Sequence, residues 1–215
     1  MEVLFETDGG TRVVALAPGA ETDALVGFFE RVAAELSWQP GDQLRACQDG
    51  ARHLAVTVGP EMVGGLQVVM GKGNALPSRR VWPEAEIGEA TAAHVTILAL
   101  GKEYRGHPHL FGPLCVELWR WCAAGGAEQI VIEATPPTLR LYRRLGWPLR
   151  IIGDLRPHWG EDCYLCAMGV WEVADSLAAK AERARSYRSL VDQAHRARPT
   201  GPPIVGPSLT DIASL

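Results

Sequence analysis

In the first seventy positions, apolar residues recur every two residues in some segments, as in a strand, and every 3.6 residues in another, as in a helix. The two-residue runs predict four strands, over residues 3–7, 12–17, 53–58 and 62–70. The turn signal Asp8-Gly9-Gly10 between the first two runs predicts a hairpin. Apolar side chains recur on one side of residues 21–36 and predict an amphipathic helix before the third strand.

The rest of the chain alternates between strands and helices. Residues 71–91 hold several Gly and Pro with little periodicity, which predicts a long loop of the kind that is more often functional than idle. Beyond it the pattern predicts strands over 94–100, 129–134, 150–153 and 162–170, and helices over 110–124, 138–145 and 173–197. Strand, helix and strand in succession form a βαβ unit, so the expected fold class is α/β or α+β with a mixed sheet.

Composition narrows the class of protein. The 215 residues suit one domain over 1–170, followed by a C-terminal helix over 171–197 and a flexible tail over 198–215 that is rich in Pro and Gly. Because 47% of the residues are apolar, the chain is expected to be globular. A net charge of −4 provides no field that attracts nucleic acid, so no nucleic-acid partner is expected.

Further patterns bear on compartment and metals. The N-terminus lacks the basic and apolar regions of a signal peptide, and no apolar stretch reaches the length of a membrane span. Five cysteines, an odd number, argue against a disulfide framework and favour the reducing cytoplasm. Cys163 and Cys166 have the spacing of a metal motif, but in a strand they fall on opposite faces, so no metal is expected.

Two segments carry a family resemblance. ILALGKEYRG (97–106) resembles the central strand and following turn of the GNAT acyltransferase superfamily. LRLYRRLGWPL (139–149) resembles its later motif, in which a helix with a tyrosine is followed by glycine, an aromatic residue and a strand. The resemblance implies a GNAT-like mixed, splayed central sheet flanked by helices, and acyl transfer from a thioester donor to an amine.

The turn after the central strand is where this superfamily holds the pyrophosphate of coenzyme A, on backbone N–H groups of a Gly-rich loop and a helix N-terminus. The resemblance places donor binding on Leu100, Lys102, Arg105, Gly106 and Gly112. Here Pro108 and Pro113 have no N–H to donate, and Phe111 is bulky. The segment is therefore a poor diphosphate cradle.

One branch of the superfamily, the acyl-homoserine-lactone synthases and N-acyl amino acid synthases, also lacks a regular diphosphate loop. Its members take long acyl chains from acyl carrier protein. LSWQPGDQLRACQDGARHLAV (36–56) and RRLGWPLRIIGD (143–154) resemble segments of that branch. Gln67 replaces an arginine of the lactone synthases, and HVTIL (94–98) lacks their Glu and Arg. These differences bear on the S-adenosylmethionine and lactone chemistry more than on acyl transfer.

Candidate catalytic residues lie on the central strand and the later helix. His94 and Thr96 share a strand face, and His94 is either the base that deprotonates the amine or a structural histidine bonded to a carbonyl. Tyr142 lies where many superfamily members keep a tyrosine near the leaving sulfur, so it either protonates the thiolate or lines the helix. Backbone N–H groups of residues 98–102 are candidates for polarising the carbonyl.

Several arginines are candidates for contacts with the donor. Arg105 is placed to pair with the phosphate of a phosphopantetheine arm. Arg79, Arg80, Arg143 and Arg144 either contact an acidic acyl carrier protein or are solvated surface charges.

Three functions remain open. The first is an N-acyltransferase that moves an acyl group from acyl carrier protein to a small-molecule or peptide amine. The second is a GNAT N-acetyltransferase that uses a short acyl-CoA. The third is a catalytically inactive GNAT-like binding module.

Overall fold

The computed structural model describes residues 1–7, 9–48 and 50–181. The strands are β1 Glu2–Glu6, β2 Thr11–Ala15, β3 Arg52–Val58, β4 Glu61–Lys72, β5 Thr91–Leu100, β6 Gln129–Ala134, β7 Arg150–His158 and β8 Glu161–Gly169. The helices are α1 Ala20–Leu36, α2 Gln43–Ala46, α3 Pro108–Ala124, α4 Pro136–Leu145 and α5 Val170–Ala181. The predicted continuation of the last helix to residue 197 and the tail over 198–215 lie outside the described residues.

The strands of the described residues form one mixed sheet in the order β1-β2-β3-β4-β5-β6-β8-β7. The first four strands pair antiparallel in succession, and β8 pairs antiparallel with both β6 and β7. α3 joins the neighbours β5 and β6, and a crossover of this length is what parallel neighbours require. The predicted fold class and its βαβ unit are confirmed, whereas the splay between strands stays a prediction.

The chain forms two compact units. Met1–Val69 and Val95–Leu118 make up the first unit, and the second contains Met70–His94 and continues from Trp119. β4, β5 and α3 each contribute residues to both units. The predicted boundary at residue 170 stays a prediction.

In the first unit α1 packs directly on the strands. Leu25 and Phe29 of this helix are fully buried. A Cβ atom on Gly65 of β4 would lie 2.7 Å from Leu25 Cδ1 and 2.5 Å from the carbonyl oxygen of Leu54. Such contacts are too short for any side chain, so the glycine allows the helix to approach the sheet.

In the second unit the segment between β4 and β5 packs on the strands. It contains two 3₁₀ turns, Gly73–Ala75 and Pro77–Arg80, where the sequence predicted only a loop. The buried residues of its core cluster are Leu76, Trp82, Ala85, Ile87, Ala92, Val131, Cys163, Leu165 and Ala167. Trp82 Nε1 donates a hydrogen bond of 2.7 Å to the Asp154 carbonyl. The irregular spacing of these apolar residues explains why no period predicted the packing.

Several elements differ in their bounds from the sequence prediction, and one was not predicted. β7 extends to His158 rather than ending at residue 153, and it contains Pro157. As the edge strand of the sheet, β7 tolerates a residue that has no N–H to donate. α2 was not predicted because four residues are too few to show a period. α5 begins at Val170, three residues before the predicted start.

Candidate functional site

A buried histidine–glutamate pair joins β5 to β6 in the second unit. His94 Nε2 lies 2.7 Å from Glu133 Oε1. The two side chains are only 3% and 9% exposed. At this burial the interaction is weakly screened by solvent, so it is stronger than the same contact would be at the surface.

Glu133 is held in its ionised form. Burial alone would raise the pKa of Glu133, but the nearby His94, with its hydrogen bond, and then His158 together lower it. A carboxylate only accepts hydrogen bonds, so Nε2 of His94 must carry the hydrogen. Any proton that His94 takes up is therefore taken by Nδ1.

Nδ1 of His94 is buried and has no hydrogen-bond partner among the residues that the structure describes. An unpaired buried acceptor costs about 1–3 kcal/mol, which is the kind of cost found at functional sites. A histidine with one nitrogen on a carboxylate and its second nitrogen bare is the arrangement of an oriented general base. The partner of His94 is thus a carboxylate and not the backbone carbonyl of the structural alternative.

His158 belongs to the same charged cluster. Its pKa is lowered, chiefly by burial, with Glu133 raising it and His94 lowering it further. Its ring centroid lies 5.6 Å from that of Trp82 and 5.1 Å from that of Trp159, on which it stacks. His158 therefore remains neutral to lower pH than an ordinary histidine, and once protonated it stabilises the Glu133 carboxylate.

Thr96 belongs to the first unit and is bonded to Gln67. Its hydroxyl donates to Gln67 Oε1 over 2.7 Å. The amide nitrogen of Gln67 lies 3.0 Å from His53 Nε2 and 3.2 Å from the carbonyl oxygen of Leu44. The predicted site residue is thus the outer member of a polar chain that reaches into the core.

Arg105 forms hydrogen bonds and an ion pair with other residues of the protein. Its Nε donates to the carbonyl of Leu100 over 3.1 Å, and its two terminal nitrogens donate to the carboxylate of Glu35 at 3.0 and 3.3 Å. This bidentate pair is partly exposed, so a phosphate would compete with Glu35 for the guanidinium. Leu100 contributes its carbonyl to the turn, and Arg105 is held beside it.

The turn after β5 also uses some of its own N–H groups. The Gly101 N–H donates to the carbonyl of Val63 over 2.9 Å, so this amide is not directed at a substrate. Lys102 begins a 3₁₀ turn that ends at Tyr104. Gly106 has a φ of 83°, a conformation that favours glycine, and so allows the chain to turn into α3.

The N-terminus of α3 is poor in free donors. The helix begins at Pro108, and the N–H groups of Leu110 and Phe111 both donate to the carbonyl of His107. Pro113 follows Gly112 inside the helix and has no N–H. This agrees with the sequence-based view that the segment is a weak cradle for a diphosphate.

Tyr142 lies on the buried face of α4. Its ring is stacked on Trp147, with centroids 5.4 Å apart and planes 18° apart. The backbone N–H of Trp147 also donates to the Tyr142 carbonyl, so the turn after α4 fixes the pair. Tyr142 is in the same unit as His94 and Glu133.

Two of the arginines considered for carrier-protein contact have backbone partners. Arg79 donates to the carbonyl of Pro83 and Arg143 to that of Leu149. Arg80 and Arg144 are exposed. Their roles stay predictions.

The cysteine pair of β8 is unsuited to thiolate chemistry. Burial raises the pKa of Cys163 and of Cys166 to about 12. Among the described residues, no group of His, Cys, Asp and Glu has the geometry of a metal site.

Glu133, His158 and His53 are residues that the sequence reasoning missed. Glu133 is the one charged residue in the strand QIVIEA, and a charge inside an apolar strand requires a buried partner. That requirement was a usable signal. His53 gave no comparable signal, because a histidine near the start of a strand is common on exposed surfaces.

Solved structures of acyltransferases have a similar fold. FeeM, an N-acyl amino acid synthase from uncultured soil microbes, matches with a TM-score of 0.65 and 16% identity over 77% of this chain and 95% of FeeM. The AHL synthase LasI matches with a TM-score of 0.57 and 9% identity over 74% of this chain and 89% of LasI. A putative acetyltransferase of the GNAT family from Desulfovibrio desulfuricans matches with a TM-score of 0.53 and 14% identity, over 74% and 99%.

These matches show the GNAT fold. The resemblance carried by the two sequence motifs is therefore confirmed at the level of the fold. No protein-family model matches the sequence, and no curated protein is significantly similar to it. Within residues 1–7, 9–48 and 50–181, no helix is both long and apolar enough to cross a membrane.

Proposed function

We propose that this protein is an N-acyltransferase that moves an acyl group from a thioester to an amine. The observation that carries the proposal is the buried His94–Glu133 pair on β5 and β6 of a GNAT fold, with His94 Nδ1 left without a partner among the described residues. An oriented histidine of this kind supplies the proton acceptor that aminolysis requires.

The proposed reaction begins with a neutral amine at the thioester carbonyl. As the new C–N bond forms, the amine nitrogen loses a proton to His94 Nδ1, and Glu133 stabilises the resulting imidazolium. The C–S bond then breaks, and the thiolate receives a proton from the hydroxyl of Tyr142. His94 then gives its proton through solvent to the Tyr142 phenolate, which restores neutral His94 and Tyr142. The reaction yields one amide and one thiol.

Acyl carrier protein is the proposed donor, through its phosphopantetheine arm. Arg105 is paired with Glu35, and α3 begins at a proline, so the turn offers little to a diphosphate. A phosphopantetheine arm carries a single phosphate, for which one exchangeable arginine suffices. FeeM and LasI are named as synthases of N-acyl amino acids and of AHL, which supports an amine on a small molecule as the acceptor.

Two measurements separate the three functions that the sequence left open. The first is product formation from acyl carrier protein loaded with a long acyl chain, in the presence of a panel of amino acids, followed by mass spectrometry. The second is calorimetric titration with acetyl-CoA. Turnover with the loaded carrier protein and weak binding of acetyl-CoA are expected. Tight binding and turnover of acetyl-CoA would favour the acetyltransferase, and absence of turnover with either donor would favour the binding module.

The variant His94→Gln tests the proposed base. It retains hydrogen bonding to Glu133 but removes the proton acceptor, so the rate with the active donor is expected to fall about a hundredfold or more. A folded His94→Gln enzyme with a rate within a few fold of wild type would show that His94 is structural.

A further inference from the structure

The polar chain of the first unit has a direction that can be deduced from its end groups. It runs from His53 on β3 through Gln67 on β4 to Thr96 on β5. Gln67 is fully buried, and His53 is 2% exposed. Because solvent does not compete at these positions, each donor must face an acceptor.

Leu44 determines the orientation of the Gln67 amide. Its carbonyl oxygen can only accept, so the Gln67 atom 3.2 Å away must be the nitrogen. The same nitrogen lies 3.0 Å from His53 Nε2, which must therefore accept. His53 is then the neutral tautomer with its hydrogen on Nδ1, which agrees with its pKa being lowered by burial despite a hydrogen bond to the Ala51 backbone.

At the other end of the polar chain, the Thr96 hydroxyl must act as the donor to Gln67. Its oxygen lies 2.7 Å from Gln67 Oε1 and 3.3 Å from the Gln67 carbonyl, and both partners are acceptors. The single hydroxyl hydrogen of Thr96 is therefore directed at Gln67. The oxygen lone pairs remain, on a side chain that is only partly buried.

We propose that His53 and Gln67 hold the Thr96 hydroxyl as a pure hydrogen-bond acceptor, and that it binds an N–H group of the substrate. The acceptor amine is one source of such an N–H. The amide N–H groups of the donor arm share the same chemistry. A carboxylate or phosphate oxygen has no hydrogen to offer and is repelled at this position. The contact with the amine depends on the proposed acyl transfer, whereas the direction of the chain does not.

Nitrogen NMR of the histidine rings in the full-length protein tests the direction without any substrate. His53 is expected to show a protonated Nδ1 and a bare Nε2 at neutral pH. The Gln67→Met variant is expected to weaken this tautomer preference, because only the hydrogen bond to the Ala51 backbone then maintains it. A protonated Nε2 in the wild type would reverse the chain, so that Thr96 would accept from Gln67 and donate to the substrate, and this result would overturn the proposal.

Steady-state kinetics test the contact. Thr96→Val keeps the shape but removes the oxygen, so the KM of the substrate bound there is expected to rise about three- to tenfold, with little change in kcat. Thr96→Ser is expected to restore KM to near the wild-type value. Gln67→Met removes the acceptor at 2.7 Å and leaves only the Gln67 backbone carbonyl at 3.3 Å to hold the Thr96 hydrogen, so it is expected to raise the same KM by a smaller factor.

A KM change for the amine assigns the N–H to the acceptor, and a change for the donor assigns it to the pantetheine amides. Unchanged KM values for both substrates in Thr96→Val would overturn the contact. A wild-type protein that is inactive with every donor, yet shows the predicted tautomer, would overturn the proposed function and the contact but leave the direction of the chain intact.

Discussion

At the scale of single residues, Glu133 decides which nitrogen of His94 is available. Without it, either nitrogen of the ring could carry the hydrogen, and His94 would be present as two tautomers. The lowered pKa of Glu133 keeps the carboxylate ionised and so fixes the tautomer. In the proposed mechanism, the hydrogen bond to Glu133 therefore sets how well His94 accepts a proton.

Glu133→Gln is therefore expected to reduce activity by about tenfold or more, because the neutral amide no longer stabilises the imidazolium. One hydrogen bond to His94 remains, so the free energy of unfolding is expected to fall by no more than about 3 kcal/mol. Activity assays and urea unfolding measure the two effects. Glu161→Gln, an exposed glutamate in β8, is the control. Equal activity of the two variants would show that Glu133 does not contribute to catalysis.

At the scale of elements, α4 shows how local sequence places a side chain. The Thr135 hydroxyl accepts from the N–H of Thr138 and caps the helix, and prolines occupy its first two positions. Gly146 ends it with a φ of 98°. Between these signals Tyr142 comes to lie on the buried face, against Trp147.

Gly146→Ala is expected to destabilise the protein by about 1 kcal/mol or more, because a Cβ is disfavoured at this φ. Gly27→Ala is the matched control, for which the free energy of unfolding is expected to change in the opposite direction. Gly27 lies inside α1, where the nearest atom to an added Cβ is the flexible Arg31 Nη1 at 3.8 Å. Alanine there is expected to add about 0.5–1 kcal/mol. Urea unfolding of both variants measures the difference, and destabilisation by both would contradict the argument.

At the scale of the whole molecule, burial sets the reactivity of the thiols. Cys115, Cys122, Cys163 and Cys166 are buried, whereas Cys47 is partly exposed. Thiolate is the reactive form, and burial raises the pKa of Cys115 and Cys122 well above the ordinary value. The buried thiols are therefore protected unless the protein opens.

Native protein is expected to react with a thiol reagent at Cys47 first, followed by slow labelling of the other four at the rate of global opening. Mass spectrometry counts the labels over time, and labelling in urea provides the control in which all five react. Fast labelling of Cys163 or Cys166 in the native protein would contradict the packing of β8.

Stability is expected to depend on pH through the buried histidines. Burial lowers the pKa of both His53 and His158, so the unfolded chain binds protons at a higher pH than the folded one. The free energy of unfolding is therefore expected to be greatest above about pH 7 and to fall as pH drops below about 6.5, the ordinary histidine value. Because the pKa of Glu133 is lowered, this residue further reduces the free energy of unfolding only below about pH 4.3, the ordinary value for a glutamate.

Urea midpoints at pH 8, 6.5 and 5 measure this dependence. His53→Gln keeps a polar side chain in the same place but removes one titrating group, so its midpoint is expected to change less over the same range. A midpoint that rises on acidification in the wild type would contradict the burial of both rings.

The sequence by itself determined most of the element order and the fold class of this protein. Strand and helix periods, the Gly turns, the caps of α4 and the prolines of α3 act over a few residues, so their consequences can be predicted from nearby positions. The two GNAT motifs also depend on local order and spacing. The long β7 and the packed segment before β5 were missed because Pro157 and the scattered apolar residues gave no period.

Only the tertiary structure decided which polar groups meet. His94 and Glu133 are 39 residues apart, Thr96 and Gln67 are 29 apart, and Arg105 and Glu35 are 70 apart. Nothing in a local pattern sets these distances. Burial removes water as a partner, so each buried polar atom must be matched by whichever group the sheet brings beside it. The sequence therefore indicated His94 as a candidate, and the fold selected the carboxylate that orients it.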